Sequence, residues 1–98
     1  MHGELTARIG AMFAELHADG YAGKHGRTLE IIRATRTALT PPGGQLGPWE
    51  EELLDYAEDA VHGNFLFLAL NAAEKAIVVS ALPRDEYEYG FNYAKRRT

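Results

Sequence analysis

The chain contains no cysteine. That excludes disulfides, thiolate metal sites and cysteine nucleophiles together. A secreted domain this small commonly needs staples, so a reducing, cytoplasmic setting is expected. Serine occurs only at Ser80, inside an apolar run, so the glycine-flanked serine elbow of a hydrolase is absent. The longest strongly apolar run, Phe65–Leu70, falls far short of the ~20 residues that cross a bilayer. Residues 1–19 interleave Glu4, Arg8, Glu15 and Asp19 with apolar positions, a pattern without the apolar heart of a signal peptide. No membrane association is expected.

Basic residues are missing from one stretch altogether. The net charge is −4, yet residues 41–63 hold six acids and no lysine or arginine. The flanking segments, 1–40 and 64–98, each carry five bases and four acids. The acidic surplus therefore sits in one place. An acidic balance argues against duplex DNA as a partner, because such binding draws on neutralised phosphates.

With 98 residues, 46% of them apolar and 24% charged, the composition is that of one folded domain spanning residues 1–98. Its first element reads as a helix over Glu4–Ala18, with Leu5, Ile9, Met12, Phe13 and Leu16 on one face. Gly20 can take the left-handed conformation that ends it. Residues 19–27 read as a mobile basic loop. Leu29–Leu39 is ambiguous between helix and strand, with helix favoured by the stripe Ile31, Ile32, Thr35, Ala38 and Leu39. Pro41-Pro42-Gly43-Gly44 breaks the chain, and residues 40–47 form a connection.

Pro48 suits the first turn of a helix reaching Val61. Its apolar stripe is read as Trp49, Leu53, Tyr56, Ala57, Ala60 and Val61, and Gly63 as its stop. The apolar runs Phe65–Leu70 and Ala76–Leu82 read as antiparallel strands around Asn71-Ala72-Ala73-Glu74-Lys75. The alternation of Tyr87, Tyr89, Phe91 and Tyr93 with polar residues has the period of a third strand. Residues 95–98 form a basic tail. The expected fold is α+β: two or three N-terminal helices packed on one face of a three-stranded antiparallel C-terminal meander.

Three constellations are candidate sites. On the helix at Pro48–Val61, Glu51, Glu52, Asp55, Glu58 and Asp59 point away from the apolar stripe, with Trp49 at one end. Like charges recur at i, i+4, which disfavours an isolated helix by a few tenths of a kcal/mol per pair. Helix-start chemistry accounts for Glu50–Glu52; Asp55, Glu58 and Asp59 are left unexplained. The bland reading is a solvated face that aids solubility. The functional one is a docking face for a basic protein.

Lys24, His25 and Arg27 form a candidate anion site, although the glycine spacing fails the phosphate-loop pattern; a plain connecting loop is the alternative. Arg84, Tyr87, Tyr89, Tyr93 and Arg96 are candidate RNA contacts on the third strand; core packing is the alternative. His2, His17, His25 and His62 lack metal-ligand spacing. No catalytic residue, metal or cofactor is assigned. The sequence thus points to a small acidic inhibitor of antitoxin, immunity or phage-inhibitor type that covers a nucleic-acid-binding protein surface. A small RNA-binding or ribonuclease-type protein is the first alternative. A homo-oligomeric module, a homodimer in its simplest form, is the second.

Overall fold

Between residues 64 and 82 the chain has neither glycine nor proline. The segment expected to turn a hairpin, Asn71-Ala72-Ala73-Glu74-Lys75, consists mostly of strong helix formers. Accordingly Leu66–Ser80 folds as one helix. The computed structural model describes residues 2–97, and side chains as far as Lys95. It contains α1 (Gly3–Asp19), α2 (His25–Leu39), α3 (Pro48–His62), α4 (Leu66–Ser80) and α5 (Arg84–Arg97). About 79% of the described residues are helical and none is in a strand. The fold is all-α, and the expected α+β meander is absent.

Each misplaced strand has a physical reason. The two apolar runs are both faces of α4, which is buried on three sides and so shows little periodicity. Its inner positions are Leu66, Ala69, Leu70, Ala72, Ala73, Ala76 and Val79. The alternation in Tyr87–Tyr93 is equally two i, i+4 pairs. Tyr87 and Phe91 stack on one side of α5, Tyr89 and Tyr93 on another.

The ambiguous α2 is helical because its β-branched residues fall on one stripe, Thr28, Ile31, Ile32 and Thr35, all buried. The Thr28 and Thr35 hydroxyls donate to the Lys24 and Ile31 carbonyls, each at 2.8 Å, which satisfies a polar group inside the core. Since α2 begins at His25, the loop expected over 19–27 contracts to 20–24. Gly20, at φ 77°, ends α1 as expected.

Helix α4 is the centre of the body. It packs on α1, α2 and α3, and its pairing with α3 is the most extensive. The α3–α4 link is tight. Gly63 is the last residue of the turn, but the left-handed position belongs to Asn64, at φ 68°. Phe65 N–H donates to the Ala60 carbonyl at 2.8 Å and Asn64 N–H to that of Val61 at 3.0 Å, the paired bonds of a Schellman motif. So short a link makes α3 and α4 antiparallel neighbours.

On α1, Leu5, Ile9, Met12 and Leu16 are buried. Phe67 reaches across from α4 to Phe13, His17 and Tyr21, with ring centroids 5.8, 5.0 and 5.7 Å away. Helix α5 stands apart and approaches the other helices only at isolated points. Leu70 is fully buried at the centre, so Leu70→Ala should lower the unfolding free energy in urea by about 2–5 kcal/mol without changing the helical circular dichroism of the folded state.

Candidate protein-docking surface

Helix α3 opens with Pro48 and turns its buried stripe, Glu50, Leu54, Ala57, Ala60 and Val61, to the core. That stripe is rotated from the expected one. Leu54 replaces Leu53 at its centre, and Tyr56 is 51% exposed. Glu51, Glu52, Asp55 and Asp59 are exposed and Glu58 half-buried, so the candidate acidic residues share the solvent side. They are not all unpaired, however. Arg36 Nη2, from α2, donates to Asp55 Oδ1 at 2.9 Å and to Glu58 Oε2 at 2.8 Å.

Burial opposes the charge on Arg36, but the hydrogen bonds to Asp55 and Glu58 outweigh it and raise its pKa above the ordinary value. Lys95 Nζ comes within 3.9 Å of Glu52 Oε1. Glu51 and Asp59 have no ion pair among the described residues. Nothing local in the sequence reveals Arg36 as the counter-ion, because it acts from a neighbouring helix.

Trp49 and Glu50 turn toward α5 rather than outward. The Tyr87 hydroxyl donates to the buried Glu50 carboxylate and accepts the Trp49 N–H at 2.9 Å. Trp49 meets Tyr87 edge-on at 5.5 Å between centroids and tilts against Phe91 at 6.2 Å. Burial, and then the Glu50 carboxylate, push the Tyr87 pKa from 10.0 to about 12. A Cβ on Gly90 would lie 2.8 Å from the Trp49 ring, so only glycine lets α5 come this close. The role of Glu50 was legible in principle, since it precedes Leu54 and Ala57 by four and seven residues. Pro48, Leu82, Arg84, Tyr87, Glu88 and Phe91 line most of an open cleft of about 610 Å³ beneath α5.

The candidate RNA residues are dispersed by the helix. Tyr87 points inward. Tyr89 and Tyr93 stack on each other at 6.5 Å, 75% and 53% exposed. Arg84 Nε donates to Glu88 Oε1 at 3.1 Å, one turn along. Arg96 lies outside the described side chains.

The candidate anion residues already hold a carboxylate. Arg27 grips Glu15 with two 2.6 Å hydrogen bonds, and Lys24 Nζ donates to it at 3.2 Å. The Arg27 bonds first, and that of Lys24 second, hold Glu15 below the usual carboxylate range. His25 Nε2 lies 2.7 Å from Asn64 Oδ1, tying the start of α2 to the α3–α4 turn. An incoming phosphate would have to displace Glu15.

Among the described residues, no three or more His, Asp or Glu side chains are grouped to hold a metal ion, and no helix is long and apolar enough to cross a membrane. Comparison with protein-family models, curated proteins and solved structures gave no match.

The α5 attachment generates two expectations. Tyr87 holds its proton more tightly folded than unfolded, so its contribution is complete below pH 10 and is lost as pH rises toward 12; α5 should therefore release in that window, seen as a change in Trp49 fluorescence. Tyr87→Phe should abolish this pH dependence and, by leaving Glu50 without its phenolic donor, destabilise the docked state by about 1–3 kcal/mol. Gly90→Ala should raise helix propensity by about 1 kcal/mol and still loosen α5, which hydrogen exchange of the α5 amides would register as faster opening.

Proposed function

We propose that this protein is a small acidic protein-binding module that docks through α3 on a basic, nucleic-acid-binding protein surface and thereby blocks it. The observation that carries this reading is the row Glu51, Glu52, Asp55, Glu58 and Asp59 on the solvent side of one helix, answered among the described residues only by Arg36 and Lys95. The row is anchored. Its opposite side is core, and Arg36 fixes two of its carboxylates, Asp55 and Glu58, so those two have less side-chain freedom to lose on binding.

Carboxylates spaced along a rigid helix present the charge that a basic groove otherwise meets as phosphates, and they steer encounter over roughly a Debye length of 8–10 Å. A cytoplasmic location belongs to the same proposal. The chain's lack of cysteine supports it. The RNA reading has less support, because the helix leaves only Tyr89 and Tyr93 paired outward and gives the first turn of α5 the acids Asp85 and Glu86.

The test separates these readings. Immobilised protein should retain basic, nucleic-acid-binding proteins from a lysate of its own host, release them as salt rises, and keep them through ribonuclease treatment. Glu51→Lys with Asp59→Lys, which leaves the Arg36 pairs intact, should abolish retention while circular dichroism stays unchanged. Equal retention by the double variant would exclude α3 as the docking face, and loss on ribonuclease treatment would favour RNA.

A further inference from the structure

Helix α4 has one side left uncovered among the described residues. Its fifteen residues include only Asn71, Glu74, Lys75 and Ser80 as polar groups, and three of its sides are occupied by α1, α2 and α3. Yet Leu68 is 44% and Val78 57% exposed on the fourth, and Tyr56 of α3 is 51% exposed beside it. Leu53, Tyr56, Leu68, Asn71, Ala72 and Lys75 line an almost wholly apolar groove of about 300 Å³ between the two helices. A contiguous apolar patch with a polar rim marks an interaction surface.

Its charges indicate the occupant. On the α3 rim Glu52 and Asp59 flank Tyr56, four residues before it and three after, on the same helical side. On the α4 rim stands Lys75, for which no ion pair is formed among the described residues. Because α3 and α4 are antiparallel, Leu53 and Lys75 sit level across the groove. A two-fold axis parallel to both helices keeps every residue at its level and exchanges the sides. The α4 of a second copy then lies over the α3 of the first. Lys75 of each copy meets Glu52 of the other, and Leu68 of each comes level with Ala60 of the other, beside Asp59 and one helical turn from Tyr56.

The surface is thus complementary to itself, as an isologous interface must be. A foreign basic helix would face Lys75 with like charge, whereas a second copy answers both signs. The 3.9 Å approach of Lys95 to Glu52 leaves that carboxylate capacity for a second cation. We propose that the α3–α4 face is the interface of a symmetric homodimer, closed by Leu68 and Tyr56 and keyed by reciprocal Lys75–Glu52 pairs. The interface takes Glu52 and Asp59 from the acidic row; Glu51, Asp55 and Glu58 lie on the other flank of α3 and stay outward, where they remain open to the basic partner proposed above.

Sedimentation equilibrium over a concentration series, with the full chain, tests this. The native protein should approach twice the 10.8 kDa chain mass. Lys75→Glu should weaken association by roughly tenfold or more, the equivalent of about 1.4 kcal/mol. The exchange Glu52→Lys with Lys75→Glu should restore it. Leu68→Glu and, independently, Val78→Lys should give folded monomers, since both positions are exposed. A native protein that stays monomeric at every concentration overturns the proposal, as does a dimer indifferent to both Leu68→Glu and Lys75→Glu. A monomer that loses its lysate partners on Leu68→Glu would assign the groove to a foreign protein instead.

Discussion

The alanines of α4 set how closely three other helices can approach, and the remaining structure follows from that distance. Ala69, Ala72, Ala73 and Ala76 present almost no side-chain bulk. Neighbouring backbones therefore come near, and the larger groups Ile9, Met12, Ile32, Leu54, Leu66 and Leu70 fill the spaces between them. Dense packing of this kind, rather than the area of any one residue, holds a small core together. It also fixes the rotation of α3 about its own axis. Once Leu54, Ala57, Ala60 and Val61 are turned to α4 and α2, Asp55 and Glu58 are left to meet Arg36 at the edge of α2 and Asp59 faces solvent.

Much of the helical part was legible. The stripe Leu5, Ile9, Met12 and Leu16, the stop at Gly20 and the start at Pro48 depend on local rules, and the chain obeys them. The C-terminal third was misread because two signals there are degenerate. A helix surrounded on three sides loses its amphipathic period and reads as a pair of buried strands. Four aromatics at alternate positions satisfy a strand and two helical pairs equally well. Propensity speaks for the helix, since the link between the two apolar runs lacks both glycine and proline and is mostly alanine, glutamate and lysine, whereas the pattern of two apolar runs speaks for strands.

The candidate site was legible in its charges and not in its partners. The excess of acid on α3 is a property of composition and survives folding. Which carboxylates are answered is a tertiary fact. Arg36 lies 19 and 22 residues from Asp55 and Glu58, and Glu15 takes both Lys24 and Arg27. The residues expected to be unexplained are thereby divided. Asp55 and Glu58 help bind α2 to α3, and Asp59 remains. Glu50, read from the sequence only as a helix-start acid, joins Tyr87 and Trp49 in fastening α5.

The turn at Asn64 bears on how the chain finds this arrangement. The largest interface in the molecule, α3 on α4, joins segments separated by three residues. Closing a loop is the entropic toll of bringing distant segments together, and it grows with the length of chain enclosed. Here almost no chain is enclosed. The most extensive helix pairing is thus gained between sequence neighbours, a feature of the low contact order that characterises rapidly folding helical domains.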